Sequence, residues 1–231
     1  MTSREPAWED VLRSAGRLQQ LVPDAVLVGG AASAAHAGHR VSFDHDHVLT
    51  DLRERFDDLL EALEATDGWV TARTKRPVLI LGSLDGIETG IRQLIRRRPL
   101  EVEYGGDQST RVRVPTLAEI ARIKAWLVLQ RNATRDYLDL VALSDRLGAK
   151  SARILVHLDD YYADQQGPGG LRIAGQLAKQ LAEPAPYDLD DVDLARYRRL
   201  DERWRDWRRV AAACRALSMA MLDAMAEQDR P

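Results

Sequence analysis

Acids and histidines alternate in the stretch FDHDH at residues 43–47, and either type could build a metal site. Histidine nitrogens suit zinc, whereas paired carboxylates suit magnesium, which often binds one or two carboxylates together with substrate phosphates. Side chains alternate between the two faces of a strand, so Asp44 and Asp46 are expected on one face. His45 and His47 would then pack or hydrogen-bond behind the opposite face. The alternation favours magnesium on the aspartates over zinc on the histidines.

A pair of glycines precedes these acids at the end of an apolar run. The run AVLVGG (residues 25–30) predicts a short buried strand, and the small residues that follow it predict a helix. Gly29 and Gly30 would let the backbone come close to a phosphate where the strand turns into the helix. His36 and His39 are expected near the mouth of the same pocket.

The order of strand, Gly-Gly turn, short helix and Asp-x-Asp strand resembles the signature of the polymerase-β-like nucleotidyltransferase superfamily. In that superfamily the glycine turn holds the nucleotide triphosphate and the acids hold two divalent metals. Such metals clamp the attacking and leaving oxygens of an in-line phosphoryl displacement. A third carboxylate usually comes from a later strand. The run LEVEYGG (100–106) offers Glu101 or Glu103 for this role, and the sequence does not choose between them.

Two segments carry a narrower resemblance. GHRVSFDHD (38–46) and KAWLVLQRNATRDYLDL (124–140) resemble motifs of the AbiEii-like toxins. These are the nucleotidyltransferase toxins of type IV toxin–antitoxin and abortive-infection systems, and they include the mycobacterial Men-type toxins. The resemblance covers about residues 25 to 147. Histidines stand between and after the acids, where apolar residues are more usual in the family.

The resemblance assigns roles to individual residues. It implies that Asp44 and Asp46 bind Mg²⁺ or Mn²⁺ and that Ser42 lies in the nucleotide pocket. It also implies that Lys124 contacts the triphosphate and that Asp136 is a further essential acid.

Helical periodicity gives an independent reason to examine the second segment. Lys124 lies on an otherwise apolar helical stripe, where a lysine must snorkel, pair with an acid or meet an anion. Asp136 and Asp139 share one face of the next helix. Asp139 is expected to make a structural salt bridge or to hold Arg131.

The elements that must position these residues change in character along the chain. The first half is rich in strands and the second half is helical, which predicts an α+β fold. We expect a nucleotidyltransferase core with a mixed β-sheet flanked by helices over residues 1–115. We expect a helical domain over 116–231 that completes the active site with Lys124 and Asp136. The predicted strands are 25–30, 41–49, 69–74, 78–84, 100–106 and 111–115, and the predicted helices are 6–21, 51–66, 117–130, 134–147, most of 151–183, and 192–227.

Bulk composition narrows the class of protein. The chain has 231 residues and a net charge of −3, so any basic surface for RNA must be local. Candidates are Arg96–Arg98 and the stretch 196–215, whose arginines could instead pair with acids one helical turn away. One cysteine, Cys214, excludes an internal disulfide framework. The absence of an apolar leader or of a run of about 20 apolar residues predicts a cytoplasmic protein without a membrane partner.

These observations lead to one favoured function and two alternatives. The favoured function is transfer of a nucleoside monophosphate from an NTP to an acceptor hydroxyl. The family resemblance makes a tRNA 3′ end the expected acceptor, makes the protein a growth-inhibiting toxin, and implies a cognate antitoxin as partner. The alternatives are nucleotidylation of a small molecule or protein, and a nucleotide-binding module without catalysis.

Overall fold

The computed structural model describes residues 6–106, 111–166, 171–190, 192, 194, 197 and 199–228. The chain divides into two compact units. The first, called the sheet unit, comprises Met1–Ala35 and Val41–Thr116, and the second, called the helical unit, comprises His36–Arg40 and Leu117–Pro231. The domain boundary placed between residues 115 and 116 from the sequence stays a prediction.

Helices and strands are numbered separately along the chain. The helices are α1 (Trp8–Leu21), α2 (Gly29–Ala37), α3 (Phe56–Glu64), α4 (Leu117–Arg131), α5 (Thr134–Leu147), α6 (Lys150–Leu155), α7 (Leu158–Tyr162), α8 (Ile173–Ala182) and α9 (Trp207–Gln228). The strands are β1 (Val26–Val28), β2 (His45–Leu49), β3 (Trp69–Lys75), β4 (Leu79–Leu84), β5 (Ile87–Gln93), β6 (Val102–Gly105) and β7 (Val112–Pro115). Short 3-10 helices cover Ala163–Gln165 and Glu202–Trp204.

The sheet unit is built on a mixed five-stranded sheet in the order β1-β2-β5-β4-β3. β2 and β5 run parallel, and the other neighbours in this sheet run antiparallel. β6 and β7 form a separate antiparallel pair. The mixed sheet followed by C-terminal helices confirms the predicted α+β class.

Strand β5 is the element that the sequence prediction missed, although it pairs with β2 in the middle of the sheet. The missed signal is Asp85-Gly86, which joins β4 to β5 with positive φ angles of 54° and 79°. A two-residue hairpin turn of this kind needs positive φ at both positions, and Asp-Gly after an apolar strand is a typical sequence for it. The strand after the turn carries a supporting pattern, because Ile87 and Ile91 lie an even number of residues apart and share its buried face.

Two predicted helices are shorter than expected. The prediction over 51–66 was wrong at its start, because Asp51 accepts hydrogen bonds from the Glu54 N–H and the Arg55 side chain in a turn, and α3 begins only at Phe56. The prediction over 192–227 was wrong over 199–206, where the structure has turns and a short 3-10 helix, and α9 begins at Trp207. There the Asp206 carboxylate accepts the Arg208 N–H, as an N-terminal cap does.

The helical unit encloses its own apolar core between α4, α5, α8 and α9. Trp126 stacks on Tyr162 with ring centroids 4.5 Å apart, and Tyr137 is fully buried beside them in the same core. Cys214 of α9 has no exposed surface. Within the described residues, no helix combines the length and apolarity that crossing a membrane requires.

We predict that Cys214 resists thiol reagents until the helical unit opens. Burial raises the pKa of its thiol to about 12, and the thiolate is the reactive form. Labelling at pH 8 with a disulfide reagent should therefore be at least roughly 100-fold slower in native protein than in urea.

A matched control places the thiol nearby on the same helix. The double change Cys214→Ala with Ala216→Cys moves it to an exposed position and should restore fast labelling. Fast labelling of native wild-type protein would contradict the described packing of α9.

Candidate functional site

The two acids of FDHDH lie at the start of β2. Asp44 is exposed and immediately precedes the strand, whereas Asp46 lies within it with a carboxylate about one third exposed, at 30%. His45 and His47 are buried, with 1% and 0% of their surfaces exposed. Burial along β2 therefore alternates as the sequence indicates, with the histidines towards the interior.

The buried histidines are neutral neighbours of the acids. The His45 ring nitrogen Nε2 lies 2.9 Å from the Ser14 hydroxyl and 3.1 Å from that of Thr89. Burial lowers the pKa of His45 to about 4 against the opposing influence of Asp44. Burial, with His45 adding to it, holds the pKa of His47 well below its ordinary value. Both rings are therefore uncharged near neutral pH.

Glycines leave the space that the Asp46 carboxylate occupies. β2 and β5 pair in parallel with Asp46 opposite Gly90. A Cβ at position 90 would overlap Asp46 Oδ1 and lie 3.3 Å from Leu81 Cδ2. On the other side, a Cβ at Gly29 would lie 3.3 Å from Asp46 Oδ2. The carboxylate therefore sits in a cradle that larger residues would fill.

Each acid has a different partner. The Ser42 hydroxyl donates to Asp44 Oδ1 at 2.6 Å, so this serine orients the exposed acid. Arg92 of β5 donates from Nε to Asp46 Oδ1 at 3.3 Å. Sequence reasoning missed Arg92 because it missed β5.

The predicted third acid remains open. Glu101 immediately precedes β6, and Glu103 lies within it. β6 pairs with β7 and not with the five-stranded sheet. Within the described ranges, no group of three or more His, Cys, Asp or Glu side chains is gathered so as to hold a metal ion. Extending the β2–β5 register by one residue would set exposed Glu88 opposite Asp44, so Glu88 is a candidate that the sequence reading missed.

The helical unit holds the other predicted residues in one buried ion network. Lys124 Nζ lies 2.7 Å from Asp139 Oδ2 and 3.1 Å from Asp136 Oδ1. Arg40 donates to both oxygens of Asp139, at 2.7 and 3.0 Å, and His39 Nε2 lies 2.7 Å from Asp139 Oδ1. Lys124 therefore pairs with acids, which was one of the alternatives expected from the sequence. Asp139 makes a structural salt bridge, as predicted.

Asp139 is the centre of this network. Burial alone would raise the pKa of its carboxyl, but the charges of Arg40 and Lys124 and the hydrogen bond from His39 hold that pKa well below its ordinary value. The expected pairing of Asp139 with Arg131 is replaced by these three partners. Asp136 is fully buried as well, and its Oδ2 has no hydrogen-bond partner among the described residues.

Only part of the stretch 196–215, predicted as a possible basic surface, presents exposed arginines. Arg196 and Arg198 lie outside the described residues. Arg203 pairs with Asp145 and Asp201, which is the ion-pair alternative given above. Arg208 and Arg209 are exposed at the start of α9.

Comparison with known proteins identifies the family of the chain. Residues 11–227 match the family described as "Nucleotidyl transferase AbiEii toxin, Type IV TA system". The chain belongs to this family. The description of this family is that of nucleotidyltransferase toxins of type IV toxin–antitoxin systems.

Curated relatives of this AbiEii-family chain carry transporter names. The chain is 29% identical over 242 residues to the "Heme uptake protein MmpL11" of Mycobacterium tuberculosis, a match that covers 92% of the chain and 22% of that protein. It is 32% identical over 114 residues to the "Mycolic acid-containing lipids exporter MmpL11" of Mycolicibacterium smegmatis, covering 49% and 11%. The chain thus spans about a fifth or less of the length of these relatives.

Solved structures share the fold. The crystal structure of ANT(2")-Ia in complex with adenylyl-2"-tobramycin aligns with a TM-score of 0.51 at 13% identity, over 68% of this chain and 98% of that one. An antigenic nucleotidyltransferase-like protein from Paracoccidioides brasiliensis aligns with a TM-score of 0.50 at 16% identity, over 83% and 93%. At these identities the likeness concerns the nucleotidyltransferase fold alone.

We predict that Gly90→Ala inactivates the site without unfolding the sheet unit. The added methyl group must displace the Asp46 carboxylate, and a misplacement near 1 Å can lower turnover by roughly 100-fold. NTP turnover and the melting temperature are the measurements.

The control is Gly16→Ala in α1, where a Cβ would meet its nearest atom at an ordinary 3.7 Å. This variant should keep full turnover. Wild-type turnover in Gly90→Ala would show that the position of the Asp46 carboxylate does not matter.

We also predict that Asp139→Asn destabilises the protein by about 3–5 kcal/mol, because it leaves buried cations without their shared partner. Asp145→Asn on the same helix removes only an exposed pair with Arg203 and should cost less than about 1 kcal/mol. Urea unfolding monitored by circular dichroism measures both. Equal costs would contradict a central role for Asp139.

Proposed function

We propose that the chain moves a nucleoside monophosphate from an NTP to an acceptor hydroxyl, with release of pyrophosphate, in the presence of Mg²⁺ or Mn²⁺. One observation carries this proposal: the Asp46 carboxylate is accessible in a glycine-lined cradle, in a chain of a nucleotidyltransferase family. We further propose that the reaction takes place in the cytoplasm.

The residues at this site fit a hard divalent cation. Carboxylate oxygens are the ligands that magnesium prefers, and Asp44 and Asp46 supply them close together. The cation Arg92 already contacts Asp46, so positive charge is accommodated beside the carboxylate. A bound metal would supply charge neutralisation for the phosphates and alignment of the displacement.

The protein's own groups have separate tasks in this proposal. Asp46 holds the cation in the cradle that Gly29 and Gly90 leave open. Ser42 fixes the orientation of Asp44 by its hydrogen bond of 2.6 Å. One of the two carboxylates takes the proton of the acceptor hydroxyl. Gly29, together with Gly30, brings backbone N–H groups towards the nucleotide phosphates.

A third carboxylate would complete the set of acids. Glu101 or Glu103 was proposed from sequence, and Glu88 on β5 is the alternative that the strand register supports. Removal of each acid in turn, with Mn²⁺ affinity as the measurement, separates these candidates.

We propose that Lys124 contacts the triphosphate and that Asp136 is an essential acid, as the family resemblance implies. Two carboxylates orient the Lys124 ammonium, and an ammonium has three N–H donors, so one donor remains for a phosphate oxygen. Asp136 Oδ2 is buried and has no hydrogen-bond partner among the residues that the structure describes, so it is a second acceptor beside Lys124.

The favoured acceptor is a tRNA 3′ end, and the favoured biology is growth inhibition relieved by a cognate antitoxin. Membership of the type IV toxin–antitoxin family supports the toxin and its antitoxin partner. Arg97 and Arg98, and Arg208 and Arg209 at the start of α9, are exposed and supply the local positive charge that phosphate contacts need. Arg96 is buried and donates to backbone carbonyls, so it is not part of this surface.

A small-molecule or protein acceptor is the second candidate. The net charge of −3 favours it mildly, since no general attraction to nucleic acid is expected. A nucleotide-binding module without catalysis is the third candidate, and it predicts that the acids are dispensable.

We predict that purified protein transfers label from an NTP to bulk tRNA with Mg²⁺, and that Asp46→Ala lowers this transfer by roughly 100-fold or more through loss of the metal ligand. Labelled NTPs, one base at a time, and sequencing of tRNA 3′ ends provide the measurement. Asp58→Ala, an exposed acid of α3, is the matched control and should retain transfer.

The outcomes separate the three candidates. Label on protein or small molecules of an RNA-free lysate, with none on tRNA, would support the second candidate and remove the first. If wild type and Asp46→Ala inhibit growth equally and turn over NTP equally, the binding module without catalysis is the candidate that remains.

A further inference from the structure

The ion pair between Arg92 and Asp46 differs in kind from the other acid–base contacts of the chain's predicted site residues. It joins one nitrogen to one oxygen at 3.3 Å, with 38% and 30% of the two side chains exposed. Charge-assisted hydrogen bonds usually span about 2.7–2.9 Å. Exposed pairs of this kind contribute little to stability, so the contact exchanges easily.

Asp139 gives the contrast within the same protein. Its contacts with Arg40 and Lys124 are 2.7 Å long and its carboxylate is fully buried. Breaking such a pair is costly because it leaves a charge without partner or water. The Asp139 network is therefore built to hold, whereas the partner of Asp46 is replaceable.

The strand register explains why an arginine reaches Asp46. Arg92 lies opposite Val48, two residues beyond Gly90, and residues two apart share a face of a strand. Because Gly90 has no side chain, nothing on β5 lies between the Arg92 stem and the carboxylate. The guanidinium therefore reaches back along the strand and contacts the acid that would hold the metal.

We propose that Arg92 occupies the metal-binding carboxylate of Asp46 in the free protein and moves to the nucleotide's phosphates when the metal binds. This inference rests on the metal site of the proposed function. In the free protein the guanidinium balances the charge of Asp46. A divalent cation on Asp46 repels the guanidinium and takes over the carboxylate. The planar fork of arginine donors then suits the phosphate oxygens that arrive with the metal.

Arginine at this position thus has two opposite effects on binding. It competes with a metal that arrives alone, because both cations would use the Asp46 carboxylate. It favours a metal that arrives with a nucleotide, because the triphosphate offers the displaced guanidinium a new partner. The pair would make the site selective for the metal–nucleotide complex over the free metal.

The test measures binding rather than turnover. Free Mn²⁺ is followed by electron paramagnetic resonance, first with Mn²⁺ alone and then with α,β-methylene analogues of the four NTPs. Arg92→Gln is expected to bind Mn²⁺ alone about two- to fivefold more tightly, which corresponds to removal of an exposed ion pair. It is expected to bind the preferred Mn²⁺–analogue complex at least about fivefold more weakly.

Two further variants separate charge from structure. Arg92→Lys keeps the positive charge and should leave the affinity for Mn²⁺ alone within about twofold of wild type, a rescue that depends on charge. Arg73→Gln removes an exposed arginine of β3 and should change neither affinity. Circular dichroism and melting temperature verify that each variant is folded.

The outcomes distinguish this inference from the proposed function. If wild-type Mn²⁺ binding is insensitive to Asp46→Ala, the metal site itself is wrong. If Asp46→Ala abolishes binding but Arg92→Gln leaves either affinity unchanged, the role of Arg92 alone is overturned. Tighter Mn²⁺ and weaker analogue binding in Arg92→Gln, with rescue by Arg92→Lys, supports the exchange.

Discussion

The parallel pairing of β2 with β5 decides what surrounds the Asp46 carboxylate. The register sets Gly90 directly opposite Asp46, so that the acid has room, and sets Arg92 two residues further on the same face. A slip of one residue would turn every side chain of β5 to the other face. It would place Ile91 against the carboxylate and Gly90 in the core. The usable geometry of the acid therefore depends on the register of a neighbouring strand as much as on the acid itself.

The two groups of charged residues follow opposite physical rules. Asp139 is buried with cations on both oxygens, where low dielectric strengthens each contact and makes loss of any partner costly. Asp46 is part-exposed with one long contact, where water screens the pair and the partner can change. A stable arrangement suits residues that fix positions, and an exchangeable one suits a residue that must accept a substrate-borne cation. Burial, rather than the presence of an ion pair, distinguishes the two.

Local patterns predicted the parts of the fold that local physics decides. The apolar run before Gly29 could be read directly because a short continuous apolar run indicates a strand buried on both faces. The burial of His45 and His47 could be read because it follows a period of two along one strand. β5 escaped because its outward residues include a glycine and charges, which resemble a loop when the partner strand is unknown. The partners of Asp139 escaped for a related reason: His39 lies 100 residues away in the chain, and no period along a helix reports such a contact. The pairing of Lys124 with an acid was among the expected alternatives, because a lysine on an apolar helical face has few other ways to place its charge.

The lysine's buried position also constrains any nucleotide role. Lys124 could leave its carboxylates for a phosphate only by stranding an oxygen of Asp136 or Asp139, and an unpaired buried acceptor costs about 1–3 kcal/mol, more when it is charged. Arg40 and His39 reduce this cost for Asp139, because they remain on its oxygens. Asp136 has no such substitute among the described residues, so its bond to Lys124 is the more expensive one to break. A triphosphate contact made through the third N–H of the ammonium would avoid both costs. Under the proposed function, the network would then orient Lys124 and leave one of its donors for the phosphate.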